Sequence, residues 1–70
     1  MLTHFKPTKN GERWREWNVL VYDRGRKARK VGRILQACGP HGPLRAFVHF
    51  AHRVSNHVRN AADIFAEGLA

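Results

Sequence analysis

The sequence predicts an α+β fold in which a small antiparallel sheet of two or three strands packs on one long C-terminal helix. Three observations support this prediction. Residues 14–22 are rich in aromatic and β-branched side chains, as strands are, and residues 44–69 carry apolar side chains at helical spacing. A segment with two Gly-Pro pairs, residues 37–43, lies between them. With 70 residues the chain is expected to form one small domain, residues 1–70.

The hairpin of the predicted sheet is expected over about residues 13–36. Its first strand has Trp17, Val19 and Val21 on one face, and Leu20 makes the other face partly apolar. The turn tripeptide Asp23-Arg24-Gly25 follows this strand. The chain then returns as the antiparallel partner, which would complete the hairpin.

A helix over residues 26–38 is the competing interpretation of the second half of this hairpin. Apolar residues recur there at helical spacing, and Gly39-Pro40 would end such a helix. Gly32 in its middle would cost about 1 kcal/mol, however. The glycine and the preceding turn therefore favour the hairpin.

The C-terminal helix is expected over about residues 43–68, after a Gly/Pro loop at residues 37–43. Pro43 suits the first turn of a helix, and from Leu44 onward the apolar side chains fall within one arc of a helical projection. A strand explains only alternate residues between Leu44 and Phe50, whereas a helix accounts for the whole stretch. The alternative is a bend at Ser55-Asn56 that divides the stretch into two shorter helices.

Composition and charge exclude several classes of protein. The hydrophobic content of 43% is too high for a disordered basic tail, and the lone Cys38 excludes an intrachain disulfide. No apolar run is long enough for a signal peptide or a membrane span, so we expect a cytoplasmic protein without membrane contact. The 13 Lys and Arg residues exceed the 5 Asp and Glu residues, which gives a net charge of +8.

The basic residues predict a small nucleic-acid-binding protein that contacts the phosphate backbone of duplex DNA through its hairpin. Residues 24–33 hold six cations and no acid, whereas an inert surface normally mixes both signs. Trp14, Trp17 and Tyr22 could add stacking surfaces if exposed. The candidate phosphate-binding residues are Arg24, Arg26, Lys27, Arg29, Lys30 and Arg33 on the hairpin and Arg45 and Arg53 on the helix.

The apolar face of the predicted helix indicates a second possibility, because a short hairpin would cover only part of it. The uncovered part is expected to bind a second copy of the chain or a different protein. With a second copy, the nucleic-acid-binding protein would be a homodimer. With a different protein, the chain would be a small inhibitor or adaptor, for example a mobile-element protein that blocks a host defence nuclease complex. The candidate interface residues are Phe47, Phe50, Val54, Val58 and Phe65. In its order of short strands, basic hairpin and helix, the chain is similar to the three-stranded DNA-binding domains at the start of some phage integrases.

The sequence gives no reason to expect an enzyme, a cofactor or a metal site. It has no nucleophile–base pattern, and its Gly-rich loop lacks the Lys and Ser/Thr of a phosphate-binding loop. His49 and His52 are three residues apart and would share one helix face, as two zinc ligands do. Only Cys38 and His41 in the loop are available as further ligands, so ordinary surface histidines are the preferred interpretation.

Overall fold

The protein is mostly β-sheet and not a small sheet on a long helix, so the predicted fold class is wrong. The computed structural model describes residues 2–69, and Met1 and Ala70 of the predicted domain lie outside it. These residues form five antiparallel strands in a curled half-barrel and one short helix. The elements are β1 (Leu2–Asn10), β2 (Trp14–Tyr22), β3 (Arg29–Gly39), β4 (Gly42–Pro43), β5 (Phe47–Phe50) and α1 (Asn56–Glu67).

Strand β3 lies at the centre of the sheet. It pairs with β2 along one edge and with β4 and β5 along the other, while β1 pairs with the far side of β2. The register of β2 and β3 shifts between Val19 and Leu20, which pair with Gly32 and Lys30. Val31 is therefore the extra residue of a β-bulge, and a bulge of this kind increases the local bend of the strand.

The predicted helix over 43–68 is wrong in its first half, because residues 47–50 complete the sheet instead. Val48 pairs with Ile34 and turns inward, whereas Phe47 and His49 turn outward. As a strand, this segment satisfies the backbone groups along the open edge of β3, which a helix would leave unpaired. Helix α1 begins only at Asn56, after Ser55 caps it by accepting a hydrogen bond from the Val58 N–H at 3.4 Å.

The predicted Gly/Pro loop at residues 37–43 is also shorter than expected. Its first three residues extend β3, and Gly42–Pro43 forms β4. Gly39 pairs with Gly42, which leaves Pro40 and His41 as the turn between the strands. Gly42 has φ = 120°, a backbone conformation that favours glycine.

Helix α1 packs on the inner face of the sheet and closes the core. The Phe65 ring stacks on Phe5, with ring centroids 4.3 Å apart, and meets the edge of Trp17 at 5.7 Å. This aromatic cluster joins the helix to β1 and β2. The buried apolar residues of the core are Val19, Val21, Val31, Ile34, Ala46, Val58, Ala62 and Ala66.

One polar side chain, Gln36, is fully buried within residues 2–69. Its Nε2 donates to the carbonyl oxygens of Leu44, at 3.0 Å, and Leu69, at 2.8 Å. A single amide therefore joins the centre of β3 to the segment before β5 and to the chain just after α1. Buried hydrogen bonds of this kind fix one arrangement of the elements that they connect.

Gly32 is required by the close approach of β5 to β3. A Cβ atom at this position would lie 2.5 Å from the His49 carbonyl oxygen and 2.9 Å from Phe50 Cδ1. We expect Gly32→Ala to lower the free energy of unfolding by about 1–3 kcal/mol, since β5 must move to admit the methyl group. Urea unfolding followed by circular dichroism measures this change.

Gly11→Ala is the matched control for this substitution. A Cβ at Gly11 would meet only the Trp14 carbonyl oxygen, at an ordinary contact distance of 3.6 Å. We expect a stability change within about 0.5 kcal/mol of the wild type. Equal stability of the Gly32→Ala and Gly11→Ala variants would contradict the close packing of β5 on β3.

Candidate nucleic-acid interface

Two segments distant in sequence meet at one end of the molecule. The turn between β2 and β3, residues 23–28, lies at this end. The connection from β5 to α1 returns to it, because the Ala51 N–H donates to the Val31 carbonyl oxygen at 3.0 Å. We call residues 23–30 and 51–55 together the hairpin end.

The hairpin end concentrates positive charge. The turn is closed by a hydrogen bond from the Arg26 N–H to the Asp23 carbonyl oxygen, at 3.1 Å, and Gly25 has φ = 72° there. The first two residues of β3 continue the run of cations, and the β5–α1 connection adds His52 beside Arg53. The exposed cations of this end are Arg24, Arg26, Lys27, Arg29, Lys30 and Arg53.

Asp23 is the one carboxylate that the hairpin end contains. Its Oδ2 lies 3.5 Å from Arg29 Nη2, and the side chains of Arg29 and Asp23 are 66% and 37% exposed to solvent. Exposed ion pairs of this kind stabilise a protein by less than about 1 kcal/mol. Arg29 therefore remains available for an external anion at little cost.

The structure separates two of the predicted phosphate-binding residues from this group. Arg33 lies in the middle of β3 on the outer face of the sheet, with Nη1 3.9 Å from Glu16 Oε1. Arg45 lies at the opposite end of the molecule, where it lines a groove with Asp63 and Glu67. Six of the eight predicted residues thus lie at the hairpin end and two lie elsewhere.

The acidic residues increase the difference in charge between the hairpin end and the rest of the molecule. Glu12 follows the end of β1, in the turn to β2 and opposite the hairpin end, and Asp63 and Glu67 lie toward the C-terminal end of α1. The molecule measures 43 Å along its longest axis. Exposed charges separated by more than the Debye length of about 8 Å are largely screened at physiological ionic strength, so a carboxylate at the far end of the molecule, such as Glu12, offsets little of the positive charge of the hairpin end.

The face of the sheet away from α1, the open face, carries exposed aromatic and basic side chains. Trp14 and Tyr22 lie on this face, whereas Trp17 is part of the core. A cross-strand row of Lys6, Asn18, Arg33 and His49 follows from the strand registers. The sequence analysis did not single out Lys6, and it considered His49 only as a possible zinc ligand on a helix, whereas alternation along β1 and β5 places both side chains outward.

Four of the five predicted interface residues belong to the chain's own core. Val58 is only 2% exposed, Phe65 stacks on Phe5, and Val54 packs against the same cluster. Phe50 also packs there, under the Arg59 guanidinium, whose carbon lies 5.2 Å from the ring centroid. Phe47 differs from these four, because it is 67% exposed on the open face.

The two predicted helix histidines do not share a helix. His49 lies in β5 and His52 in the connection that follows it. Among residues 2–69, no group of three or more His, Cys, Asp and Glu side chains is arranged to hold a metal ion. Over the same residues, no helix has the length and apolar character needed to cross a membrane.

The fold and the charge distribution together define a small β-rich protein with one strongly basic end. No protein-family model, curated protein or solved structure matches this chain.

Proposed function

We propose that this protein binds nucleic acid by contacting phosphate groups with its hairpin end. The observation that carries the proposal is the convergence of Arg53 with the five cations of residues 24–30, in a part of the described chain that contains one carboxylate. A surface that serves only solubility normally mixes charges of both signs. Clustered Lys and Arg are the electrostatic footprint of a phosphate-binding surface.

The shape of the hairpin end suits the outside of a duplex. The turn at residues 23–28 protrudes beyond Gly32, the last β3 residue that pairs with β5. Long basic side chains on such a turn reach neighbouring phosphates from one side. We therefore propose duplex DNA as the principal ligand, bound with little sequence preference because phosphate contacts position a protein without reading bases.

The direct test is the affinity for a short labelled duplex, measured over a series of salt concentrations by fluorescence anisotropy. Contacts with four to six phosphates predict a log–log slope of about −3.6 to −5.4. Duplexes of unrelated sequence should give nearly equal affinities. An affinity that does not change with salt would contradict phosphate binding.

A second candidate function, self-association, is favoured by an apolar patch at the opposite end of the open face. Leu35 pairs with Phe47 there, and the Leu44 N–H donates to the Ala37 carbonyl oxygen at 2.8 Å. Trp14 pairs with Ala37, so these apolar side chains adjoin one another. Leu44 is 55% exposed and Trp14 is 42% exposed.

We propose that a second copy of the chain covers this patch in a homodimer. Each copy carries a net charge of +8, so an antiparallel arrangement about the patch, with the two hairpin ends pointing away from each other, would reduce their repulsion. The chain's own sheet already covers the buried face of α1. The proposed dimer interface is therefore formed by the open face of the sheet and not by the helix.

We expect sedimentation equilibrium to show a dimer that the substitution Phe47→Lys dissociates. A charge in the middle of the patch would be buried without a partner on association. Ile64→Lys is the control, because Ile64 is similarly exposed, at 70%, but lies on α1 and not on the open face. A wild-type protein that stays monomeric at high concentration would rule out the dimer and leave the nucleic-acid proposal intact.

A further inference from the structure

A cavity of about 440 Å³ opens beside the hairpin end, between the start of β3 and the beginning of α1. Its volume is within the range of sites that hold one small organic molecule. Four basic residues line it, two from β3 and two from the β5–α1 connection. They are Arg29, Lys30, His52 and Arg53.

The floor of the cavity is apolar. Val21, Val31 and Val58 line it, and each belongs to the buried core of the protein. Ser55, the N-cap of α1, also lines it, so the positive end of the helix dipole adds to the potential of the four basic groups. The cavity therefore combines a hydrophobic floor with several hydrogen-bond donors for an anion.

This combination fits one end of a nucleic-acid strand better than its interior. An internal phosphodiester carries one negative charge and runs along the surface, whereas a terminal phosphate monoester carries about −1.5 to −2 charges and three free acceptor oxygens. A terminal base has a stacking neighbour on one side only, so it enters a cavity at a lower cost than an internal base, whose flipping costs a few kcal/mol.

We propose that the cavity binds the terminal nucleotide of a nucleic-acid strand, with its phosphate monoester on Arg29, His52 and Arg53 and its base over the valine floor. The inference rests on the proposed nucleic-acid binding and adds a preference for phosphorylated ends. Arg53 contributes to both sites, since it lies at the hairpin end and lines the cavity.

The test compares oligonucleotides of one sequence that carry a 5′-phosphate, a 3′-phosphate or only hydroxyl ends. We expect one or both phosphorylated forms to bind about tenfold more tightly than the hydroxyl form, as one additional charge-assisted hydrogen bond provides. Arg53→Gln should reduce this ratio to below about twofold. Arg26→Gln removes the same charge outside the cavity, so it should weaken all three oligonucleotides alike and preserve the ratio.

Thymidine monophosphate serves as the free-nucleotide probe. If thymidine monophosphate binds as tightly as the phosphorylated oligonucleotide, the result would support the site and would identify a free nucleotide as its ligand. Equal affinities of the phosphorylated and hydroxyl oligonucleotides would overturn the terminal-nucleotide site but not the proposed nucleic-acid binding. The same conclusion would follow if Arg53→Gln left the ratio of these two affinities unchanged. Failure of every oligonucleotide and of the nucleotide to bind would overturn both proposals.

Discussion

Replacing Arg24, Arg26 and Lys27 together by Gln is expected to weaken duplex binding and to flatten its salt dependence. If each side chain meets one phosphate, the log–log slope should fall in magnitude by about 2.7. All three residues lie in the exposed turn between β2 and β3, so the fold should survive their replacement. Anisotropy titrations at several salt concentrations give the slope, and circular dichroism checks the fold.

Replacement of Lys9, Arg13 and Arg45 by Gln is the matched control. Either triple substitution lowers the net charge from +8 to +5, and all three control residues are exposed. They lie toward the opposite end of the molecule, so binding at the hairpin end predicts a much smaller change of slope. Equal effects of the two triple variants would show that net charge alone attracts the nucleic acid, which would contradict a localised site.

Phe65→Ala is expected to cause a large loss of stability. The substitution removes the ring that stacks on Phe5 and meets the edge of Trp17, and with it the main aromatic contact between α1 and the sheet. Truncation of a core aromatic costs about 3–5 kcal/mol, and we expect the lower part of this range because Phe65 is half-buried. A domain of this size has only about 4–10 kcal/mol of total stability. Urea unfolding measures the loss.

Ile64→Ala is the control on the same helix. Ile64 precedes Phe65 but is 70% exposed, so its truncation should change stability by less than about 0.5 kcal/mol. Both variants should be measured at two protein concentrations. If Phe65 lies in the chain's own core, the decrease in the free energy of unfolding caused by Phe65→Ala should not depend on protein concentration. A decrease that disappears on dilution would instead place Phe65 at an interface between copies.

The strands β2 and β3 illustrate what local sequence patterns predict well. Aromatic and β-branched residues, followed by a turn signal at Asp23-Arg24-Gly25, indicated a hairpin, and the two strands pair antiparallel in the structure. The concentration of cations in residues 24–33 was likewise visible in the sequence. Both features depend on residues close together in the chain, so a single sequence contains the information for them.

Residues 44–50 illustrate where local patterns were insufficient. Their apolar residues fit one arc of a helix and also fit alternation along a strand, as Val48 and Phe50 show. Residues 47–50 form a strand because the backbone groups along the edge of β3 need hydrogen-bond partners from another strand. Gly32 allows that strand to approach, because any larger residue would collide with His49 and Phe50.

The sequence by itself determined the basic character of the chain, the hairpin of β2 and β3, and the position of its densest positive charge. Only the tertiary structure decided that Arg53 joins that charge, that Arg45 lies apart from it beside Asp63, and that Phe65 belongs to the core. The physical reason is that these placements depend on how β5 and α1 pack against strands distant in sequence. Burial and backbone pairing across the sheet, and not local propensity, fix that packing.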